Sequence, residues 1–288
     1  MKKWLLIAGA IAIAGVVYSL IPSKRTLSSS VIGLRTMAAV ARNFKDTSKW
    51  DDWWPASAGY SFAISRLSYG DARVVVRWAG DHQIEGNLRI APLNGDSVLI
   101  NWEGEVPSRD EKAGKQAVDT ILGAFKGYVE DPARLYGVKF FRTMTSDSTL
   151  VAIIYPSPVY PGVQEVYQKI DSLRQYIALQ GAKEINAPML NVTQLGASGY
   201  SVSVAISVNR TLPGRGNIVP KRFVPWKMLE GEVHGGIYSV ERAFREMWNF
   251  KADYNLQIMA MPYQSMITDR RQESDTLKWV TIVCAPIS

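Results

Sequence analysis

One block of sequence occurs twice in the C-terminal half of this 288-residue chain, and any fold must accommodate the repeat. The first copy carries Val159-Tyr160-Pro161-Gly162-Val163, then Val166, Ile170, Leu173 and Tyr176, then Pro188-Met189. The second carries Val233-His234-Gly235-Gly236-Ile237, then Val240, Phe244, Met247 and Phe250, then Pro262-Tyr263. The offset is 74 residues at every one of these positions, without a gap. A fixed period of this kind is the signature of a structural unit used more than once. In each copy apolar residues fall at helical spacing between matched turn residues, and an apolar strand-like run follows, at 200–208 and at 279–285.

Each copy reads strand–helix–strand–strand. The first has a strand over 149–155, a helix over 162–179 and a nine-residue alternating strand over 200–208. The second has strands over 226–233, 263–268 and 278–285, with a helix over 237–250. Residues 209–222, rich in Pro, Gly and Arg, read as the loop between the copies. One copy alone leaves either its helix or its sheet uncovered. Two copies can share a sheet and leave a groove at the pseudo-dyad between them. Small-molecule sites are concave and aromatic-lined with few polar groups. The candidates to line this groove are Tyr155, Trp226, Glu232, Tyr238, Trp248 and Tyr263.

The preceding segment has a different rhythm. A short apolar run at 28–32 is followed by a helical pattern at 35–44, then by Lys49-Trp50-Asp51-Asp52-Trp53-Trp54-Pro55. Alternating runs come next, at 60–64, 72–78, 84–90 and 98–102, separated by Gly-Asp turns. Period-two alternation of this kind predicts an antiparallel sheet with one face covered. The cover is the helix predicted over 112–130, with Ala117, Ile121, Leu122, Phe125 and Val129 on one stripe; Asp131-Pro132 ends it. The fold class expected is therefore α+β, with two soluble segments at 27–138 and 139–288, the two copies falling at about 149–209 and 225–288.

Two family resemblances attach to these segments. Residues 27–138 resemble the SRPBCC, or START-like, helix-grip family, which includes polyketide cyclase-like proteins. The resemblance is carried by the Trp50/Trp53/Trp54-Pro55 turn, by Glu85-Gly86-Asn87-Leu88-Arg89-Ile90 and by the helix ending in Tyr128-Val129-Glu130. It implies a sheet gripping a helix over an apolar cavity that binds or transports hydrophobic molecules. Trp50 and Trp54 would then form a wall or lid of that cavity. The stretch between Trp54 and Trp78 is shorter than the family pattern. Residues 139–288 resemble the GyrI-like, AraC-type effector-binding domain. The residues that carry this are Leu229-Glu230-Gly231-Glu232-Val233-His234-Gly235-Gly236-Ile237-Tyr238 and the closing run Lys278-Trp279-Val280-Thr281-Ile282-Val283-Cys284-Ala285-Pro286-Ile287. This resemblance implies a central groove for small hydrophobic or cationic molecules. Many relatives place an acid near the last strand pair, where this chain reads Pro262-Tyr263-Gln264-Ser265-Met266. Glu230 and Glu232, on one face of their predicted strand, are the acids at hand.

Residues 4–22 carry no charge and are flanked by Lys2-Lys3 and Lys24-Arg25. As a helix the run would span roughly 28 Å, the thickness of a bilayer's hydrocarbon core. No cleavage site follows it. The expectation is a single-pass membrane anchor over residues 1–26, with the bilayer as partner through residues 4–22. The slight positive excess at the N-terminus places the body outside the cytoplasm.

Charge and rare residues exclude several classes. The net charge of +7 is spread as four basic residues and no acid in 1–26, 13 basic and 14 acidic in 27–137, and 16 and 12 beyond. No region has the density of a nucleic-acid footprint. Cys284 is the only cysteine, and His82 and His234 are the only histidines, so neither a disulfide nor a His/Cys metal site is expected. No phosphate loop or nucleophile motif is present, and no cofactor is implied. The function expected is a membrane-anchored binding protein for a small hydrophobic molecule, with no catalytic residue assigned. One alternative is a cyclase- or hydrolase-type enzyme drawing on Glu232, His234 or Tyr238. Another is a protein-interaction or regulatory module, although no DNA-binding helix pair precedes the domain.

Overall fold

Alternation governs the first half of the chain. Ile84, Gly86, Leu88 and Ile90 are buried, while Glu85 and Arg89 between them are exposed. The computed structural model describes residues 24–146, 148–196, 199–223 and 226–288. The chain forms two compact units that meet in sequence at Asp131 and Pro132. In the first, strands β1 (Lys24–Gly33), β2 (Ser61–Ser68), β3 (Asp71–Trp78), β4 (His82–Asn94) and β5 (Ser97–Pro107) form one antiparallel sheet of order β1-β5-β4-β3-β2. Helix α1 (Met37–Lys45) is capped by the Thr36 hydroxyl, which accepts from the Ala39 amide. Helix α2 (Glu111–Glu130) lays Ala117, Val118, Ile121, Leu122, Phe125 and Val129 inward.

Aromatic rings fill the space between helix and sheet. Trp50 is fully buried, with ring centroids 5.2 Å from Phe44, 5.0 Å from Trp53 and 5.5 Å from Phe62. Trp53 stands 4.4 Å from Phe125 of α2, and Trp54 4.5 Å from Phe62 of β2. The indole nitrogens of Trp50 and Trp54 donate to the carbonyls of Phe44 and Tyr60. Gly86 is there for room: a Cβ on it would lie 2.6 Å from Cε2 of the buried Trp102, which lies across the strand.

The expectation of a single-pass membrane protein is corrected. Among the described residues no helix is long and apolar enough to cross a membrane. The longest, α2, carries Glu111, Lys112, Lys115, Asp119, Lys126 and Glu130 along its length; Asp119, Lys126 and Glu130 bond to the β1 edge of the sheet at Ser29 and Ile32 and just past it at Leu34. Residues 4–22, on which the anchor was read, lie outside the described residues.

The second unit opens with α3 (Pro132–Tyr136). The Tyr136 hydroxyl donates to Asp253 at 2.7 Å, and its ring packs on Phe140 and Phe250. Eight antiparallel strands follow: β6 (Phe140–Met144), β7 (Ser148–Ser157), β8 (Met189–Gln194), β9 (Tyr200–Val208), β10 (Ile218–Phe223), β11 (Lys227–His234), β12 (Tyr263–Met266) and β13 (Val280–Ile287). Their order is β10-β7-β9-β8-β12-β13-β11-β6. Helices α4 (Val163–Leu179) and α5 (Ile237–Asp253) are both 17 residues long, and their bounds differ by the offset of 74. β8 and β12 meet in the middle of the sheet, where Leu190 pairs with Gln264, its own counterpart at that offset. The element order of the first set, β7-α4-β8-β9, recurs in β11-α5-β12-β13, and the two sets lie on either side of this pair in the sheet.

Three strands stand where the sequence places none; β8 is the strand of the first copy for which the sequence sets no range. β10 falls inside the expected loop, and β6 precedes the first predicted strand. β6 and β10 are both edge strands. Pro220 obscures β10 in sequence, yet an edge strand tolerates a proline because one side of it needs no donor.

The sheet is rolled. β6 and β7 are six strand spacings apart, about 29 Å across a flat sheet. The chain between Met144 and Ser148 reaches at most about 14 Å. The two edges therefore converge at this end. Just past the last β11–β6 pair, the amide of Thr145 donates to the Trp226 carbonyl at 2.9 Å while the Trp226 amide donates back to the Thr145 hydroxyl at 3.0 Å.

Candidate functional site

The two long helices of the second unit, α4 and α5, lie on one face of the rolled sheet. α4 buries Val166, Ile170, Leu173 and Ile177 against Val151, Ile153, Val202, Val204 and Leu190. α5 buries Val240, Ala243 and Met247 on the side of β11 and β13. Two concavities lie on this face, one between α4 and β12, the other between α5 and β8. Their walls correspond at the offset of 74: Tyr167 with Glu241, Arg174 with Trp248, Ala187 with Met261, Pro188 with Pro262 and Met266 with Val192.

The two have very different contents. The concavity at α4 has a volume of about 280 Å³. Residues 267–279, between β12 and β13, pack into it. The Arg270 amide donates to the Tyr167 hydroxyl at 2.9 Å, and that hydroxyl donates to the Thr268 carbonyl. The Arg271 guanidinium stands 4.5 Å over the Tyr167 ring and pairs with Asp171 and Asp269. Arg174, where the other side has Trp248, is held by Glu184 at 2.9 Å. The link between β8 and β9, residues 195–199, is shorter. The groove at α5 remains open, with a volume of about 960 Å³. Tyr160, Tyr200, Phe244, Trp248, Met261 and Pro262 form its apolar walls, and Asn191, Glu241, Arg245 and Gln264 supply polar groups. Tyr160 and Tyr200 meet edge to face at 5.7 Å.

Arg270, Glu241 and Arg245 are the charges at or near the groove. Burial lowers the Arg270 pKa against the opposing pull of the Tyr167 and Tyr160 phenols. Burial raises the Tyr160 phenol; a hydrogen bond from Gln264 pulls it back, the Glu241 carboxylate adds to the rise, and Arg270 opposes it.

A third concavity, of about 350 Å³, lies on the opposite face of the sheet, where Tyr263, Cys284, Glu230, Ser265 and Met189 share one side of the strands. Burial pushes the Cys284 thiol up to about 12, with the Glu230 carboxylate adding to it. Burial likewise raises the Tyr263 phenol, reinforced by Cys284.

The sequence candidates are dispersed by this arrangement. Trp248, half exposed, lines the open groove. Tyr263 lines the concavity on the other face. Tyr155 packs beside the α4 core; burial, then the Glu165 carboxylate, push its phenol up to about 12. Trp226 extends the β11–β6 pairing by one position, through hydrogen bonds its backbone exchanges with Thr145. Tyr238 is 87% exposed at the start of α5. Glu232 is exposed and bonded to His234 at 2.9 Å. Trp50 and Trp54 sit in the core of the first unit. Sequence reasoning missed Tyr160, Tyr200, Gln264 and Arg270. A signal existed: the strands that close the two copies no longer differ by 74, so residues have been added after β12. Among the described residues no group of three or more His, Cys, Asp or Glu is placed to hold a metal ion.

No family model matches the chain, and no curated protein does. Among solved structures it is similar to the C-terminal domain of EcmrR, at 14% identity over 52% of this chain and 98% of that one, with a TM-score of 0.46. It is also similar to a hydrolase from Listeria innocua, at 12% identity over 52% and 92% of the two chains, with a TM-score of 0.40. A third is SAV2435 bound to tetraphenylphosphonium, at 12% identity over 52% and 94%, with a TM-score of 0.35.

Proposed function

We propose that the second unit is an effector-binding domain of the GyrI-like type, two copies of one βαββ block, and that it holds a small hydrophobic molecule in the groove between α5 and β8. One observation carries the reading. Of two concavities related by the pseudo-dyad, the chain fills one with its own residues 267–279 and leaves the other open. The open one has the size and the aromatic walls of a small-molecule site. For the first unit we propose a START-like helix-grip domain, supported by the sheet order and by α2 packed on the sheet. The ligand is assigned to the second unit because Trp50, Trp53 and Trp54 occupy the place of a cavity in the first.

Binding is favoured over turnover. The Glu232–His234 pair, the nearest of the sequence candidates to an acid–base couple, is exposed and is not part of the groove lining. The test is a fluorescence titration of the full chain with the neutral probe N-phenyl-1-naphthylamine. Saturable binding to one site is expected, weakened about five- to thirtyfold by Trp248→Ala, the loss of roughly 1–2 kcal/mol of aromatic contact. Binding that does not saturate, or that Trp248→Ala leaves unchanged, would remove the groove from the function.

A further inference from the structure

Arg270 carries a charge that nothing in its surroundings balances. The residue is 9% exposed. Its Nη2 donates to Gln264 Oε1 and to Thr281 Oγ1, both at 3.0 Å, and its guanidinium stands 5.0 Å over the Trp279 ring. All three are neutral. The neighbouring Asp269 is engaged by Arg271, and among the described residues no carboxylate lies within 4 Å of Arg270. An arginine does not shed its proton in a protein, and a buried guanidinium without a counter-charge is costly. A structural plug would not require that cost. A methionine or leucine would stack on Trp279 and fill the same space.

The charge lies directly behind the floor of the open groove. Gln264 lines that floor and turns its Oε1 to Arg270, so its amide nitrogen is the group left for the groove. Tyr160, on the groove wall, feels the same guanidinium, after the stronger influence of the Glu241 carboxylate at the groove rim. The other charged groups lining the groove are Glu241 and Arg245. Arg270 is thus the innermost charge, separated from the groove by a single amide.

We propose that the groove selects amphiphiles with an anionic headgroup of the carboxylate or sulfonate class, seated over Gln264 and Tyr160 with Arg270 as the counter-charge and the apolar body against Trp248 and Phe244. This rests on the reading of the groove as the ligand site. The unmatched charge is stabilised when such a ligand binds, and a neutral ligand of the same shape leaves it as it was.

The experiment compares two probes that differ by one sulfonate: 1-anilinonaphthalene-8-sulfonate and the neutral N-phenyl-1-naphthylamine. Both are titrated into the full chain, and the readout is the ratio of their dissociation constants. Wild type favours the sulfonate at least about tenfold, as a charge across one amide layer requires. Gln264→Glu supplies Arg270 with an internal carboxylate in nearly the same volume, and Arg270→Met removes the charge while keeping the stem. In either variant the ratio falls at least tenfold. A wild-type ratio within threefold of unity, or a ratio that both variants leave in place, overturns the proposal even if Trp248→Ala still weakens the neutral probe. If neither probe saturates, the groove reading falls first and this inference with it.

Discussion

Trp50 decides whether the first unit is a packed core or a lidded cavity. The residue is fully buried, its ring centroid lies within 5.5 Å of Phe44, Trp53 and Phe62, and its indole nitrogen donates to the Phe44 carbonyl at 2.8 Å. A buried tryptophan withdraws about 150–250 Å² from water, worth roughly 4–6 kcal/mol by area. Measured Trp→Ala costs in cores run at about 3–5 kcal/mol. Truncation also leaves the Phe44 carbonyl without its donor in a dry site, about 1–3 kcal/mol more. Trp50→Ala is therefore expected to cost at least about 4 kcal/mol, a large share of the roughly 5–15 kcal/mol that holds a typical domain. Trp50→Phe, which keeps an aromatic ring, should cost about half as much. Urea unfolding followed by far-UV circular dichroism measures both, with the slope of the transition checked for constancy. A Trp50→Ala protein within 1 kcal/mol of wild type would refute the core assignment. If that variant also lost binding of the neutral naphthylamine, the cavity wall expected from sequence would be reinstated.

Three further expectations follow from single sites. The Cys284 thiol, pushed up to about 12 by burial and then by Glu230, should alkylate with iodoacetamide at pH 8 at least about a hundredfold more slowly in the native chain than in urea; equal rates by mass spectrometry would contradict its burial. A hydrogen bond from Arg271, the largest influence on it, holds the Asp269 carboxyl below its ordinary value. A folded pKa below the unfolded one gives stability that is present above about pH 4 and is lost as pH falls through the folded value. Arg271→Gln should raise the Asp269 pKa toward the ordinary carboxylate range in a side-chain NMR titration, and an unmoved titration would sink the assignment. Gly231→Ala would bring a Cβ within 2.8 Å of Val138 and 2.9 Å of Phe140. It should cost about 1–3 kcal/mol in the same urea experiment, and a neutral result would mean that β6 yields.

How far the sequence could be read depended on the kind of signal each element leaves. Helix α4 was legible almost to the residue and α5 at its start, with its end three residues beyond the expected 250, because amphipathic spacing and flanking turn residues agreed twice over. Strand β9 was read at its observed bounds from nine residues of strict alternation. The edge strands β6 and β10 left no such pattern: an edge strand has one neighbour, and Pro220 reads as a loop residue. The groove was harder. Its position between α5 and β8 depends on which elements become neighbours after the sheet rolls, and composition does not encode that. Aromatic residues were therefore gathered by type, and the structure sends Tyr238 to solvent, Tyr263 to the far face and Trp248 alone to the groove. The Trp50-Trp54 cluster shows the same limit. A cavity lid and a core plug have one composition, and only the distances to Phe44, Phe62 and Phe125 separate them.

The asymmetry of the second unit can be traced to the segment after β12. Two equivalent helices on one sheet create two equivalent clefts, and a cleft lined with apolar residues is costly to leave open in water. Residues 267–279 close the first by bringing arginines to it rather than apolar side chains. Arg271 finds carboxylates at Asp171 and Asp269, so its placement there is self-sufficient. Arg270 finds none, and is buried between Trp279, Thr281 and Gln264. Gln264 belongs to the central strand pair β8–β12, and it lines the open groove. The same segment that closes one cleft therefore delivers an unmatched positive charge to the floor of the other. Closing the first cleft and charging the second are one structural event, which is why the two halves, alike in element order and helix length, do not offer two alike sites.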